Sequence, residues 1–258
     1  MKFITGMQYR AAAYAGIVTQ LAWGAMEILI YRCFYMENKS DFPMQMQALS
    51  SYIWLQQGFL ALFMTWFFEN EIFETITSGN IAYELCRPCD LYHMWFVRNM
   101  AVRISKALLR CIPLFVAAMC VPAPYGLRLP PSLPAAGLFV ISMLFGFLNI
   151  VAFCMLIYIS AFFTISVQGV KSFFSAVVEL LSGSVVPIPF LPDGLRQIVE
   201  LLPFASMQNA PLRIYGGDIA GMQALQTICL QLFWLTVMVC AGRILMNKAL
   251  KQVVVQGG

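Results

Sequence analysis

The chain has 258 residues, carries 16 basic and 12 acidic side chains for a net charge of +4, and is 60% apolar against only 11% charged. An ordinary soluble domain is about 25% charged, so this sequence cannot clothe a globule of its size in a water-compatible surface, and its apolar excess must face lipid. A soluble helical protein, a secreted disulfide scaffold and a nucleic-acid-binding domain are set aside together.

The opening residues between Lys2 and Arg10 are too short and too polar for the core of a secretory signal, so the N terminus is expected to stay on the protein. A hydrocarbon layer about 30 Å thick takes about 20 apolar helical residues, and six stretches meet or approach that length. The first is 11–31, interrupted only by Gln20 and Glu27, and the second is 47–67, with Gln56 and Gln57 inside it. The third, 101–121, is preceded and entered by Arg98, Arg103, Lys106 and Arg110, whose long side chains are expected to snorkel to the headgroups. The fourth, 135–165, is longer than a perpendicular crossing needs and is expected to tilt or project. The fifth, 173–188, is short and ends at proline; the sixth is 222–245. The expected fold is therefore an all-α membrane protein with six transmembrane helices in a single domain spanning 1–258.

Two connections are unusual. Residues 68–95 form the most polar stretch, in which 69–77 can make a turn or two of helix, Gly79 and Asn80 suit a turn, and Pro88 discourages helix before it. Residues 187–221 hold Pro187, Pro189, Pro192, Pro203 and Pro211, which forbid one continuous helix, yet the stretch is too apolar for an ordinary loop. It reads as a re-entrant or interfacial element, with a short amphipathic helix over 195–202. Positive charge sets the orientation. With the N terminus inside, Lys2, Arg10, Arg87, Arg98, Arg103, Lys106, Arg110, Lys171, Arg243, Lys248 and Lys251 fall on the inner side, against Arg32, Lys39, Arg128, Arg196 and Arg213 outside. Both termini and the acidic loop are then cytoplasmic, and the proline-broken segment is external.

Chemistry-bearing motifs are sparse. No GxxxxGK[ST] occurs, so any ATP-driven role needs a partner. HExxH and GxSxG are absent as well, no catalytic residue is assigned, and the lone His93 beside Met94 and Trp95 reads as a membrane-interface position. Six of the eight cysteines lie in or beside apolar runs, where the thiol acts as a small hydrophobe. Cys86 and Cys89 form one CxxC without a second pair or a histidine at ligand spacing, and no metal site is assigned. Glu27 and Glu179 are intramembrane acids, each costing on the order of 2 to 3 kcal/mol or more near the membrane centre. They mark either a translocation path for polar or cationic cargo or a structural contact, such as a pair between Glu27 and Arg32. Asn149, midway along the fourth span, reads first as a hydrogen bond between helices, worth about 1 kcal/mol, and second as a candidate for the same path. In the polar loop Glu69, Glu71, Glu74 and Glu84 lie among Ile72, Phe73, Ile76 and Ile81, an amphipathic surface suited to a groove on a soluble partner, or else a solvated connector.

The loop ITSGNIAYELCRPCDLY, followed by a basic third span, resembles the segment between the second and third helices of bacterial ABC-transporter permeases of the type-2 (ABC-2) exporter class. LLSGSVVPIPFLPDGLRQIVELLPFASMQNAPLRIYGGD is similar to the part of those permeases in which a broken fifth helix leads into short outer-leaflet helices, and the ending VVVQGG matches a branch of small multidrug or viologen-type exporters. The likeness covers nearly the whole chain. It departs at CRPC, where aliphatic residues are expected around the Arg-Pro, which counts against a metal role for the cysteines. The resemblance implies a half-transporter in the bacterial cell membrane that pairs with a second permease, identical or homologous, and with two copies of an ABC ATPase subunit. ATP and Mg would be bound by that partner, with no cofactor on this chain and no nucleic acid. It also implies that 68–95 is a cytoplasmic coupling loop whose Glu71, Glu74, Gly79, Tyr83, Leu85, Arg87 and Pro88 sit against the ATPase. A separate expectation gives the outer segment from Pro187 to Pro211 a gating role, closing the exit side of the pathway.

Three function classes stand at this point: an exporter permease, an ion-coupled secondary transporter or channel using Glu27 and Glu179, and a membrane scaffold without transport of its own. The lack of an inverted repeat speaks against the second. An amphipathic or drug-like cargo agrees with the resemblance, but membrane helices are apolar whatever they carry.

Overall fold

The computed structural model of the protein describes residues 10–37, 42–164 and 166–252, with side chains from residue 15 onward. The ending 253–258, the residue Ile165, Lys2 and Lys39 lie outside these residues, as does the side chain of Arg10. Among the described residues the chain is all-helical, 75% in helix with no strand, in eleven α-helices and one 3-10 turn.

The first long helix, α1, runs Arg10–Glu37. The second expected span is shorter and broken. Helix α2, Met46–Gly58, stops at Phe59, a short α3, Leu60–Phe63, follows, and the chain is extended from Met64 instead of helical to Phe67. The reason is Arg103, whose guanidinium takes up the carbonyls of Leu62 at 2.8 Å, Met64 at 2.8 Å and Phe67 at 3.4 Å, so these groups need no helical partner. Two short helices follow, α4, Asn70–Thr77, and α5, Ile81–Leu85.

Helix α6, Leu91–Met119, begins ten residues before the expected third span because Asp90 caps it, its carboxylate accepting the His93 backbone N–H at 2.8 Å. Helix α7, Leu133–Ser160, is capped by Ser132, carries proline in its first turn and ends five residues short of the expected 165. Helix α8, Val167–Leu181, lies earlier than the expected 173–188, because the chain turns at Gly183, φ +79°. After the 3-10 turn Ile188–Phe190 come α9, Asp193–Leu201, and α10, Asn209–Gly216, closed by Gly217 at φ +78°. The last helix, α11, is Gly221–Leu250.

Helix α7 is the axis of the packing, flanked by α11, α10, α6 and α8, while α1 lies on α2 and α6. Ile150, Val151, Ala152, Cys154, Met155 and Tyr158 of α7 are fully or almost fully buried. Polar side chains pin the apolar contacts. Asn149 donates to the Gln231 carbonyl at 2.9 Å, and Gln231 donates to the carbonyls of Ser142 at 3.0 Å and Ser206 at 2.8 Å. This joins α7, α11 and the approach to α10. Gly146 allows the closest approach, since a Cβ there would overlap the Met207 carbonyl.

The long elements run alternately between two ends. At one end the Tyr158 hydroxyl accepts the Glu69 N–H, Lys171 reaches Asn70, and Arg243 reaches His93. At the other end Trp54 donates to the Tyr125 carbonyl, Tyr215 to that of Arg128, and the rings of Tyr31 and Phe190 meet. Among the described residues two helices, α7 and α11, are long and apolar enough to cross a membrane by length and composition. Helix α7 is mostly buried, whereas α11 leaves Leu232, Phe233, Val237 and Ile244 exposed along its length, an apolar face of the kind that calls for lipid or a partner.

Candidate functional site

At the first of these ends, α4 and α5 meet at a bend and form an elbow. Gly79, at φ +76° with open space around it, makes the bend, a conformation that costs a side-chain-bearing residue about 1 to 2 kcal/mol. The inner faces carry Ile72, Phe73 and Ile81, all buried, and Phe73 packs its ring on Tyr158 of α7 at 4.9 Å. Arg98 on α6 braces the elbow by pairing with Glu69 at 3.2 Å, with Glu71, and more distantly with Glu84 at 3.9 Å. Glu84 also accepts the indole N–H of the fully buried Trp95 at 2.6 Å. Lys171 on α8 donates to Asn70 and lies over the Phe73 ring at 4.7 Å. Beneath this sits Arg103, 1% exposed, holding the three carbonyls already described together with Asn99 Oδ1 at 2.7 Å and Cys154 Sγ at 3.2 Å.

Arg98 and Arg103 therefore do not snorkel. They are the internal bolts of the elbow, and the expectation failed because carboxylates and carbonyls of the protein itself take up their guanidinium groups.

The seven loop residues named from sequence separate into two groups. Glu71 is half of an ion pair with Arg98. Glu74, Gly79, Tyr83, Leu85, Arg87 and Pro88 are exposed together at the tip, Tyr83 being 76% exposed. A concavity of about 520 Å³ opens on one side of the tip, lined by Glu74, Asn80, Glu84 and Arg87, and a groove of about 900 Å³ on the other, lined by Ile76, Tyr83, Phe162 and Ala249. Cys86 and Cys89 are exposed free thiols beside Arg87. Among the described residues no three His, Cys, Asp or Glu side chains gather as metal ligands do.

His93 is tied to the protein through both ring nitrogens, Nδ1 to Asp90 at 2.8 Å and Nε2 to Arg243 of α11 at 2.6 Å. The Asp90 carboxyl is held below its ordinary range, first by the His93 backbone N–H and then by the imidazole.

A second site lies between α1, α2 and α6. Gly16, Gln20, Trp23, Glu27 and Ile30 recur along one face of α1 and, with Gln56, Gln57, Leu60, Trp66, Arg110 and Ser184, line a cleft of about 600 Å³. Gln57 lines the cleft with Glu27, and Gln56 donates to the Ser184 carbonyl at 2.6 Å. Both amide atoms of Gln20, one oxygen of Glu27 and the Gln56 oxygen are buried without a partner. Arg32 stacks over Tyr125 at 5.4 Å and makes no pair with Glu27, so that expected contact is replaced by a cation–π contact one turn further out. Asn149 lies in the α7–α11 contact and not in the cleft, and Glu179 on α8 is half-buried away from it. Gln20, Gln56 and Gln57 stood out in the sequence as interruptions; only packing brings them to Glu27.

At the far end Pro187 and Pro189 are buried around the 3-10 turn, Pro192 is exposed at the start of α9, Pro203 follows α9, and Pro211 is buried in the first turn of α10. Helix α10 is buried from Asn209 to Tyr215, with Arg213 pairing Glu200 and Asp218 at 2.5 Å each. The expected helix at 195–202 is α9, with Val199 inward and Leu195, Ile198 and Leu201 exposed.

The family model for ABC-2 family transporter protein matches residues 21–257. The chain belongs to the ABC-2 transporter family. Neither a curated protein nor a solved structure matches it. Membership makes the chain a membrane protein of ABC transport, consistent with a permease subunit, and implies an ABC ATPase as its partner. The match includes the elbow, the outer segment and the cleft from Leu21 onward.

Proposed function

We propose that this ABC-2 family protein is the permease subunit of an ATP-driven exporter in the bacterial cell membrane, forming half of a translocation pathway for a small amphipathic or drug-like cargo. On this reading six segments cross the bilayer, namely α1, the α2–α3 pair, α6, α7, α8 and α11, with both termini cytoplasmic. Two copies of the ABC ATPase and a second permease, identical or homologous, complete the transporter. The alternation of the long elements between two ends supports an even number of crossings. Helix α8, with 15 residues, covers about 22 Å, less than the hydrocarbon layer, and the broken outer segment makes up the thickness on the external side.

The observation that carries the reading is the elbow: an exposed tip of Glu74, Tyr83, Leu85 and Arg87 on a base bolted to α6, α7 and α8. A surface of that kind transmits a push without absorbing it. Movement of the ATPases on ATP binding displaces the tip, the base carries the displacement into the long helices, and the cleft and the outer segment change access. Coupling of this sort requires the tip to contact the ATPase differently in its two states. The outer segment from Pro187 to Pro211, with α10 buried among α7 and α2, acts as the exit gate.

The test is transport in reconstituted vesicles. Glu74→Ala and Arg87→Ala leave insertion and expression intact while separating ATP hydrolysis from transport, and cross-links between paired outer segments block transport. Transport unchanged in both elbow variants, or flux driven by an ion gradient without ATP, would overturn the proposal.

A further inference from the structure

We infer that the cleft between α1, α2 and α6 binds amphiphiles that carry a primary or secondary ammonium group, and that it selects them over quaternary ammonium compounds by hydrogen bonding at Glu27 and Gln56. The inference rests on the permease reading only in taking the site to be one for cargo.

The cleft is built from two kinds of wall. Trp23, Met26, Ile30, Leu60 and Trp66 supply broad apolar surface. Set into it are oxygen atoms with nothing to accept: one oxygen of Glu27 and the side-chain oxygens of Gln56 and Gln20. Gln20 and Gln56 are each only 4% exposed, so these groups are withdrawn from bulk water. A buried polar atom left unpaired costs about 1 to 3 kcal/mol, and the unmatched acceptors of Glu27 and Gln56 define what relieves the cost at that end of the cleft, a ligand group with more than one N–H donor. An ammonium bearing two or three hydrogens meets that description and also neutralises the carboxylate. A quaternary ammonium offers charge without donors and leaves the acceptors unmatched.

The other charge in the cleft sets the direction of the ligand. Arg110 lies against Gly16, within 2.8 Å of where a Cβ would stand, and Gly16 is eleven residues from Glu27 along α1, about 16 Å of helix rise. No ion pair joins Arg110 to Glu27 among the described residues. The ammonium therefore goes to the Glu27 end, away from the guanidinium, and the apolar portion extends along Trp23 and Met26 toward Trp66. The unpartnered Gln20 amide N–H, between the two ends, remains available to a carbonyl or ether oxygen on the ligand.

The test uses the purified full chain in lipid nanodiscs and two probes of equal chain length, dodecylamine and dodecyltrimethylammonium, with empty nanodiscs subtracted for partition into lipid. The wild type binds dodecylamine about tenfold more tightly, the worth of one charge-assisted hydrogen bond, and Glu27→Gln removes the difference. Equal affinities in the wild type, or a preference kept in Glu27→Gln, overturn the inference. A diazirine placed next to the nitrogen of the amine gives a second readout on the unaltered chain. Labelling of Glu27 or Gln56 supports the orientation, and labelling confined to the Gly16 and Arg110 end overturns it. Neither measurement involves ATP or the ATPase, so a failed coupling test and a failed binding test remain distinguishable.

Discussion

Replacing Arg103 by methionine preserves most of the side-chain volume but removes every donor of the guanidinium. Four oxygen acceptors then lose their partner: the carbonyls of Leu62, Met64 and Phe67 and the Asn99 side-chain oxygen. At about 1 to 3 kcal/mol for each acceptor stranded out of water, the gross loss exceeds the cost recovered by no longer burying a charge. A net destabilisation of about 3 kcal/mol follows, more than a hundredfold in the local folding equilibrium. The loss is local in its first effect, because 64–69 has no helical ladder to fall back on and Arg103 is what holds it. The assay is hydrogen exchange by mass spectrometry on the purified protein, alongside the thermal unfolding midpoint. Amides of 64–77 exchange faster in Arg103→Met, with α11 little changed, and the midpoint falls. Arg103→Lys, which keeps the charge but loses the planar fork, falls between. Exchange over 64–77 and a midpoint both indistinguishable from the wild type would refute the reasoning.

Asp90 holds its carboxyl below the ordinary value because it accepts the His93 N–H, and a depressed carboxyl stabilises above its unfolded value and loses that contribution as pH falls through the folded one. Acid unfolding of the wild type therefore includes a step at pH below about 4; Asp90→Ala loses about 1 kcal/mol of cap at neutral pH, and Asp90→Asn keeps the cap while flattening the acid step, as unfolding at pH 7 and pH 3 will register. Gln231→Leu strands the Ser206 carbonyl and removes a second bond from the helical Ser142 carbonyl, lowering stability by about 1 to 2 kcal/mol, and the Asn149→Leu, Gln231→Leu double variant loses less than the sum of the singles because the two share one network. Gly79→Ala forces a Cβ into a positive-φ bend and costs about 1 kcal/mol; with open space around it, the variant folds, and its defect appears in the ratio of transport to ATP hydrolysis.

The helices themselves were legible because long apolar runs leave the backbone no other way to satisfy itself in lipid. Their ends were less so, since they are decided by partners distant in sequence. The second expected span stops at Phe63 because Arg103, forty residues on, claims its last carbonyls; the third expected span begins at Leu91 because Asp90 caps it; the fifth ends at Leu181 because Tyr52 and Gln56 donate to the carbonyls of Gly183 and Ser184 in the turn that follows. The tip of the elbow was legible as a cluster of exposed types around a Gly-Asn turn. Its bracing was not, because nothing in a linear reading assigns Glu69, Glu71 and Glu84 to one arginine. Glu27 was visible as a costly acid in an apolar run, but its neighbours Gln56 and Gln57 come from another helix, and only the packing of α1 on α2 turns three separate interruptions into one cleft.

The most direct measurement is photo-crosslinking in native membranes from benzoylphenylalanine placed at Tyr83, the most exposed aromatic of the tip. The account predicts an adduct with a P-loop ATPase subunit whose yield changes between nucleotide-free and ATP-trapped membranes. An adduct with no nucleotide-binding protein, or a position 83 reached only by reagents confined to the outside of the cell, would contradict it.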